Sequence, residues 1–270
     1  TPSNSSAASD VYKRQQPYIV YLFIIGTAGS GKSTLTGSFA DWLKERGAES
    51  STVNLDCGAE FLPYIPDFDV REYLRLEDIM ADYNLGPNGA QLLASDLLAA
   101  SADFLFEGMR DVETEYTVVD TPGQLELFIL REAGPLYIKN IAKGESMIIF
   151  LLDPNLSKNP NEFVSLMFLS SMVRYRTLVP SINVLNKIDL LEKDEMERID
   201  SYVSADFLEK EIEKSRKYSF FSLSIYKVLK EIGIIDKFIP VSSKEDVGFE
   251  DLLSEIQNIY RGSSDIEDMR

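Results

Sequence analysis

The sequence predicts an α/β fold in which a mainly parallel sheet carries helices on both faces. Three observations predict it. Strand-like apolar runs recur at 18–25, 51–55, 116–119, 147–152, 182–185 and 238–241. Helical patterns at 33–46, 70–83, 89–109, 125–141 and 162–175 lie between them. The longest of these runs, 19–25 and 147–152, are continuously apolar and fit buried strands. A strand–helix alternation of this kind implies a layered α/β domain. Ligands then bind beyond the carboxyl ends of the strands.

The chain has 270 residues, enough for one large domain with insertions. The domain is expected over 17–262, with a mostly helical insertion at 58–113 and a charged amphipathic one at 191–237. Residues 1–16 are polar and Ser/Ala-rich and are read as a disordered or artefactual tail. Residues 263–270 are read as an acidic C-terminal tail.

Composition removes several kinds of chemistry. The chain has no histidine, so Ser-His-Asp and Cys-His catalysis and His-ligated metals are excluded. Cys57 is the single cysteine, which excludes an intrachain disulfide and a Cys-based zinc site. No base can be assigned to it, and it is read as a packing residue. Forty-four acidic against 27 basic residues give a net charge of -17. With no Lys/Arg-rich block, a nucleic-acid partner is not expected. An anionic nucleotide is still compatible, because backbone N–H groups, one lysine and a metal supply positive field locally. The longest apolar runs, 19–25 and 147–152, are too short to span a bilayer, so no membrane partner is expected. No signal segment is visible, and the expected location is cytoplasmic.

Four motifs follow strands, in order. Gly26-Thr27-Ala28-Gly29-Ser30-Gly31-Lys32-Ser33 matches G-x-x-x-x-G-K-[ST] between a strand and a helix. This is the P-loop context, so the fold expected is the three-layer P-loop NTPase sandwich. Gly29, Ser30, Gly31 and Thr34 belong to the phosphate-binding curve and the helix start. Lys32 is expected on the β- and γ-phosphates and Ser33 on Mg²⁺. The second motif, Asp120-Thr121-Pro122-Gly123-Gln124, places an acid at a strand end beside the P-loop. There Asp120 would hold Mg²⁺, Gly123 would offer its N–H to the γ-phosphate and Gln124 would orient the attacking water.

The third, Asn186-Lys187-Ile188-Asp189, decides the base. A carboxylate accepts from the ring N–H and exocyclic amine of guanine, a donor pair that adenine lacks. Asn186 fits guanine N7, and the stem of Lys187 can pack on the base. The fourth, Ser242-Ser243-Lys244, offers a backbone N–H, assigned to Ser243, for the guanine carbonyl. Together they predict a P-loop GTPase with GTP as substrate and Mg²⁺ as cofactor.

Gly86-Pro87-Asn88, in YNLGPNGA, adds to these. With GTAGSGKST, NLDCGAEFLPYIPDFDVREY and DTPGQLELF it resembles the GPN-loop GTPases, most of all their archaeal members, over about residues 18–262. On physical grounds alone the tripeptide reads as a plain turn. The resemblance implies a homodimer in which Asn88 reaches the partner's γ-phosphate region and stabilises transferred charge. It implies that Asp56 helps place Mg²⁺ or the attacking water, with Glu126 a weaker candidate behind them. Many members read N-L-D-P-A where this chain has Asn54-Leu55-Asp56-Cys57-Gly58. Loss of that proline is expected to loosen the Asp56 loop. Eukaryotic members are associated with RNA polymerase assembly, so a protein client is implied by resemblance alone. Two rivals stay open: an ATPase or kinase on the same scaffold, and a nucleotide-switched assembly protein whose turnover is slow and incidental.

Overall fold

A computed structural model describes residues 19–125, 134–135, 138–139, 145–215, 219–235 and 237–267. Among the described residues the first elements are β1 (Val20–Gly26), α1 (Lys32–Glu45) and β2 (Ser50–Asn54). A short β3 (Phe68–Asp69) precedes α2 (Leu76–Tyr83), α3 (Pro87–Ala100) and α4 (Ala102–Arg110). Then come β4 (Tyr116–Asp120), β5 (Glu145–Leu152), α5 (Pro154–Ser157), α6 (Pro160–Thr177) and β6 (Ser181–Leu185). The second insertion supplies α7 (Lys193–Asp200), α8 (Ala205–Lys214) and α9 (Ser219–Glu231). The last elements are β7 (Ile239–Pro240) and α10 (Phe249–Glu267).

The seven strands pair in the order β3-β2-β4-β1-β5-β6-β7, every pair parallel. The alternation along β1 shows why its sequence is apolar throughout. Tyr21, Phe23 and Ile25 face one cluster, packed with residues of α3, α4, α6 and α8. Val20, Leu22 and Ile24 face the other, with Leu35, Phe39 and Trp42 of α1 and Phe249, Leu252 and Ile256 of α10. Period-two alternation sends successive side chains to opposite faces, so a strand covered on both buries every position; β1 meets this with apolar residues, while β2 also buries Ser50, Ser51, Thr52 and Asn54. Each fully buried Phe or Ile stabilises the fold by about 1.5–3 kcal/mol relative to exposure. The expected three-layer fold is therefore the observed one.

Local differences from the expectation have physical causes. β3 is a seventh strand of two residues, too short to show periodicity. The 70–83 pattern divides into a 3₁₀ turn, Val70–Glu72, and α2. Asp69 caps that turn by accepting from Arg71 N at 3.0 Å. The 89–109 pattern breaks at Ser101, between α3 and α4. α10 continues to Glu267, into the segment expected as the acidic tail. Most of the helix expected at 125–141, the tail 1–16 and Glu126 lie outside the described residues. No helix among the described residues is long and apolar enough to cross a membrane.

β1 is central, flanked by β4 and β5. The loops after β1, β2, β4, β6 and β7 leave from strand ends on the same edge of a parallel sheet. Those strand ends and loops carry the P-loop, Asp56, Asp120, the N-K-x-D element and the Ser242-Ser243 pair.

Candidate functional site

The P-loop segment starts where β1 stops. The chain curls through 27–31 and α1 begins at Lys32. Gly31 caps that helix at φ 94°, a left-handed conformation, and a Cβ there would lie 2.6 Å from Asn186 Nδ2. Glycine is thus required twice, by conformation and by close approach. Gly29 is also left-handed, at φ 75°, and exposed. Ser30 is buried, and its hydroxyl has no partner among the described residues. Thr34 is exposed on the first turn of α1.

Lys32 is buried, and its Nζ donates back to Gly26 O at 3.2 Å and Thr27 O at 3.1 Å. Burial lowers its pKa, opposed by the charges of Asp120 and Asp56. A buried ammonium held only by two loop carbonyls and nearby carboxylates is suited to phosphate oxygens.

Asp120 ends β4 and is 1% exposed. Its Oδ2 accepts from the Tyr64 hydroxyl at 3.2 Å, and the Ser33 hydroxyl also hydrogen-bonds this carboxyl. Oδ1 is buried with no partner among the described residues. Burial first, and the charge of Asp56 second, push the Asp120 carboxyl up to about 6 against the pull of Ser33, Lys32 and Tyr64. Burial also raises the Tyr64 phenol, and the Asp120 charge adds to that. The donor set fits magnesium, which takes one or two protein oxygens and completes its shell with phosphates and water. No group of three His, Cys, Asp or Glu that could hold a metal ion gathers among the described residues.

Asp56 sits beside these groups with both oxygens engaged. Oδ1 accepts from Gly58 N at 2.9 Å and Oδ2 from Gly123 N at 3.1 Å. The Gly123 N–H, expected toward a γ-phosphate, is thus held by Asp56 in this structure. Burial raises the Asp56 pKa, with these two N–H groups, Lys32 and Arg71 pulling the other way.

Side-chain hydrogen bonds brace the segment around Asp56. Asn54 Nδ2 donates to Asp69 Oδ1 at 2.9 Å, while Asn54 Oδ1 accepts from Asp56 N at 3.0 Å. Arg71 forks onto Asp69 and donates to Ala59 O at 2.8 Å. Cys57 is buried, and desolvation pushes its thiol up to about 12, which makes it a packing residue.

In the N-K-x-D element after β6, Asn186 is fully buried. Its Nδ2 donates to Ser30 O at 3.0 Å, and its Oδ1 accepts from Ser243 Oγ at 2.7 Å. It ties the P-loop to the two base-side loops. Lys187 has φ 58°, and its Nζ reaches Gly29 O at 2.5 Å. Asp189 Oδ1 accepts from Ser242 Oγ at 2.8 Å.

Gly86 and Pro87 are not a free turn. Gly86 is the N-cap residue of α3 and Pro87 its first residue, a position whose fixed φ suits a helix start. Asn88 is exposed on the first turn. One turn on, Gln91 meets the segment after β4: Gln124 Nε2 donates to Gln91 Oε1.

Comparison with known proteins bears on this arrangement. A family model described as "Conserved hypothetical ATP binding protein" matches residues 24–262. A GPN-loop GTPase of Pyrococcus abyssi is 35% identical over 84% of this chain and 92% of its own length. The chain belongs to the GPN-loop GTPase family. GPN-loop GTPase 3 of Dictyostelium discoideum is 29% identical over 90% of this chain and 88% of its own. The crystal structure of a GTPase in apo form from Pyrococcus abyssi superposes with a TM-score of 0.79 at 32% identity, over 90% of this chain and 97% of that one.

Within the GPN-loop frame, the structure gathers Lys32, Ser33, Asp56, Asp120, Gly123 and Gln124 at one end and Asn186, Lys187, Asp189 and Ser243 at the other. Asn88 stands apart on the surface. Sequence reading missed Tyr64, Gln91 and the side chain of Ser242. Tyr64 and Gln91 reach across 56 and 33 residues, and no local spacing announces such contacts. Ser242 lay inside a motif already read, but only for its neighbour's backbone.

Proposed function

We propose that this chain binds GTP with Mg²⁺ and hydrolyses it to GDP and phosphate as a homodimer, each subunit's Gly86-Pro87-Asn88 completing its partner's site. The observation that carries the dimer is the setting of the tripeptide. Gly86 has φ -73°, open to any residue, and a Cβ there would touch nothing within 4 Å. Beyond its N-cap position, which suits glycine as it suits Ser, Thr, Asp and Asn, the single subunit gives no further reason for glycine at 86. A surface that another chain must approach closely supplies one. Asn88 is exposed beside it, while Gln91 of the same helix touches Gln124 of the subunit's own site.

The base assignment rests on Asp189 and Ser242. The family model's description speaks of ATP, but an adenine would leave the half-buried Asp189 carboxylate without its donor pair. Magnesium, when bound, supplies positive charge at the β- and γ-phosphate oxygens, and Ser33 and Asp120 are the residues to hold it, with Asp56 behind them. Lys32 transfers its hydrogen bonds from the loop carbonyls to phosphate. The P-loop N–H groups and the start of α1 stabilise negative charge as it moves toward the leaving oxygen. Gln124 and Asp56 place the attacking water, and the γ-phosphate competes with Asp56 for the Gly123 N–H. Asn88 of the other subunit adds a neutral donor where an arginine acts in other systems.

A role as a nucleotide-gated assembly factor, with a protein client at the second insertion, has one specific support. Phe220 and Phe221 on α9 are both exposed.

The test is steady-state GTP hydrolysis with Mg²⁺ across protein concentration, wild type beside Asn88→Ala. Activity per chain is expected to rise with concentration. In the variant it is expected to fall by about a hundredfold, the scale of one lost transition-state donor, while GTP binding is kept. Concentration-independent turnover that survives the substitution would remove the shared site and leave a P-loop GTPase acting alone.

A further inference from the structure

We propose that Tyr64 is a positioning residue for the magnesium ion, acting through Asp120. The inference rests on the Mg²⁺–nucleotide reading above. Asp120 has two oxygens with different surroundings. Oδ2 is held by the Tyr64 hydroxyl at 3.2 Å, and Oδ1 is buried without a partner among the described residues. A carboxylate free to turn about its last bond presents either oxygen. One pinned at Oδ2 presents Oδ1 alone, and that oxygen lies in a carboxyl already bonded to the Ser33 hydroxyl. Tyr64 thus selects the donor atom offered to the ion or to its water. Groups behind the ligands do this at metal sites generally, by fixing ligand orientation.

The loop is built to turn this one aromatic inward. Of its apolar neighbours Leu62 is buried while Phe61 and Ile65 are 81% and 93% exposed, so burial of apolar surface accounts for only part of the way this segment folds in. Both flanks of Tyr64 are tethered. Thr52 Oγ1 donates to Ile65 O at 3.3 Å, Thr52 N donates to Asp67 Oδ2 at 2.8 Å, and Arg71 holds Ala59 O. The receiving surface is shaped as well. Gly37 lies inside α1, where glycine costs about 1 kcal/mol relative to alanine. A Cβ at Gly37 would lie 2.8 Å from Tyr64 Cβ. The helix gives up propensity where the tyrosine needs the room.

A neutral phenol is a weak competitor for the ion but a good donor to a carboxylate. Tyr64 therefore serves best behind Asp120 rather than on the metal. It also links the loop after Asp56 to the metal carboxylate, so movement of that loop changes how Asp120 is presented.

The experiment uses the full chain and Tyr64→Phe, which keeps the ring against Gly37 and removes only the hydroxyl. Fluorescently labelled GDP is bound and Mg²⁺ titrated. The half-saturating Mg²⁺ concentration is expected to rise about tenfold in the variant, with nucleotide affinity restored by excess Mg²⁺. Nucleotide release is then timed in Mg²⁺ and in EDTA. Release in Mg²⁺ is expected to quicken toward the EDTA rate, while the EDTA rate itself stays that of wild type. An unchanged Mg²⁺ requirement overturns the proposal. So does release quickened equally in Mg²⁺ and EDTA, which marks a packing role. Gly37→Ala, which touches neither Asp120 nor phosphate, is expected to reproduce the Mg²⁺ shift by displacing the ring. A wild-type chain whose GDP binding ignores Mg²⁺ overturns the magnesium reading itself, and this inference with it.

Discussion

Replacing Asp189 with asparagine should turn the protein from a GTP binder into a xanthosine triphosphate binder. Guanine presents two donors to this position, its ring N–H and its exocyclic amine, and a carboxylate accepts both. Ser242 Oγ already donates to Asp189 Oδ1 at 2.8 Å. In Asp189→Asn that hydroxyl favours the carboxamide oxygen on its own side, which turns the amide NH₂ toward the base. Donor then faces donor for guanine. Xanthine carries a carbonyl where guanine carries its amine, so donor faces acceptor. Discrimination built on buried polar groups is large because the wrong partner leaves them unpaired. The ratio of GTP to xanthosine triphosphate affinity is expected to change on the order of ten-thousandfold. Competition binding against one labelled nucleotide measures it, with ATP rejected by both proteins. A variant that keeps the wild-type preference for GTP would show that Asp189 does not read the base. Loss of Ser242 by Ser242→Ala should weaken the switch, since the carboxamide could then present its oxygen to either base.

The same residues show what a sequence discloses and what it withholds. β1 was legible because a strand covered on both faces buries every position, and its residues are apolar from Val20 to Ile25. β3 was not legible because pairing of Val53 with Phe68 and Asn54 with Asp69 is its whole extent. The N-K-x-D element was legible as a motif, yet Asn186 spends its amide on Ser30 and Ser243, contacts that depend on how three loops converge. Asp56 became a candidate only through resemblance. Its grip on the Gly123 N–H spans 67 residues and leaves no trace in local pattern. Gly86-Pro87 read as a turn because those residues suit turns, while a proline at a helix's first position satisfies the same local physics. Local chemistry was consistent with both, and only the following apolar period over α3 favours the helix. Motifs whose residues act on a ligand within one loop survive in sequence. Pairs that act on each other across loops do not.

Asp120 is the residue where site and stability should pull hardest in opposite directions. Its carboxyl is raised from 3.8 to about 6 by burial first and by Asp56 second. A raised folded-state pKa means the ligand-free fold holds the proton that the unfolded chain has already released. The associated stability is fully present below about pH 4 and is lost as pH rises through about 6. The shift corresponds to about 3 kcal/mol of fold stability forfeited at neutral pH when no cation is bound. Asp120→Asn cannot ionise, so the ligand-free variant is expected to be more stable than wild type by about that amount at pH 7. Near pH 4 the two should be almost equal. Urea unfolding of both proteins from pH 4 to 8 reads this directly, and the difference between the curves isolates Asp120 from other titrating groups. Nucleotide binding is expected to move the other way. The variant should lose the Mg²⁺ dependence of GTP affinity, and wild type should show that dependence fading as pH falls below about 6. If Asp120→Asn is instead the less stable protein at pH 7, the charge of Asp120 beside Lys32 holds the P-loop together, and its role is structural before it is metal-binding.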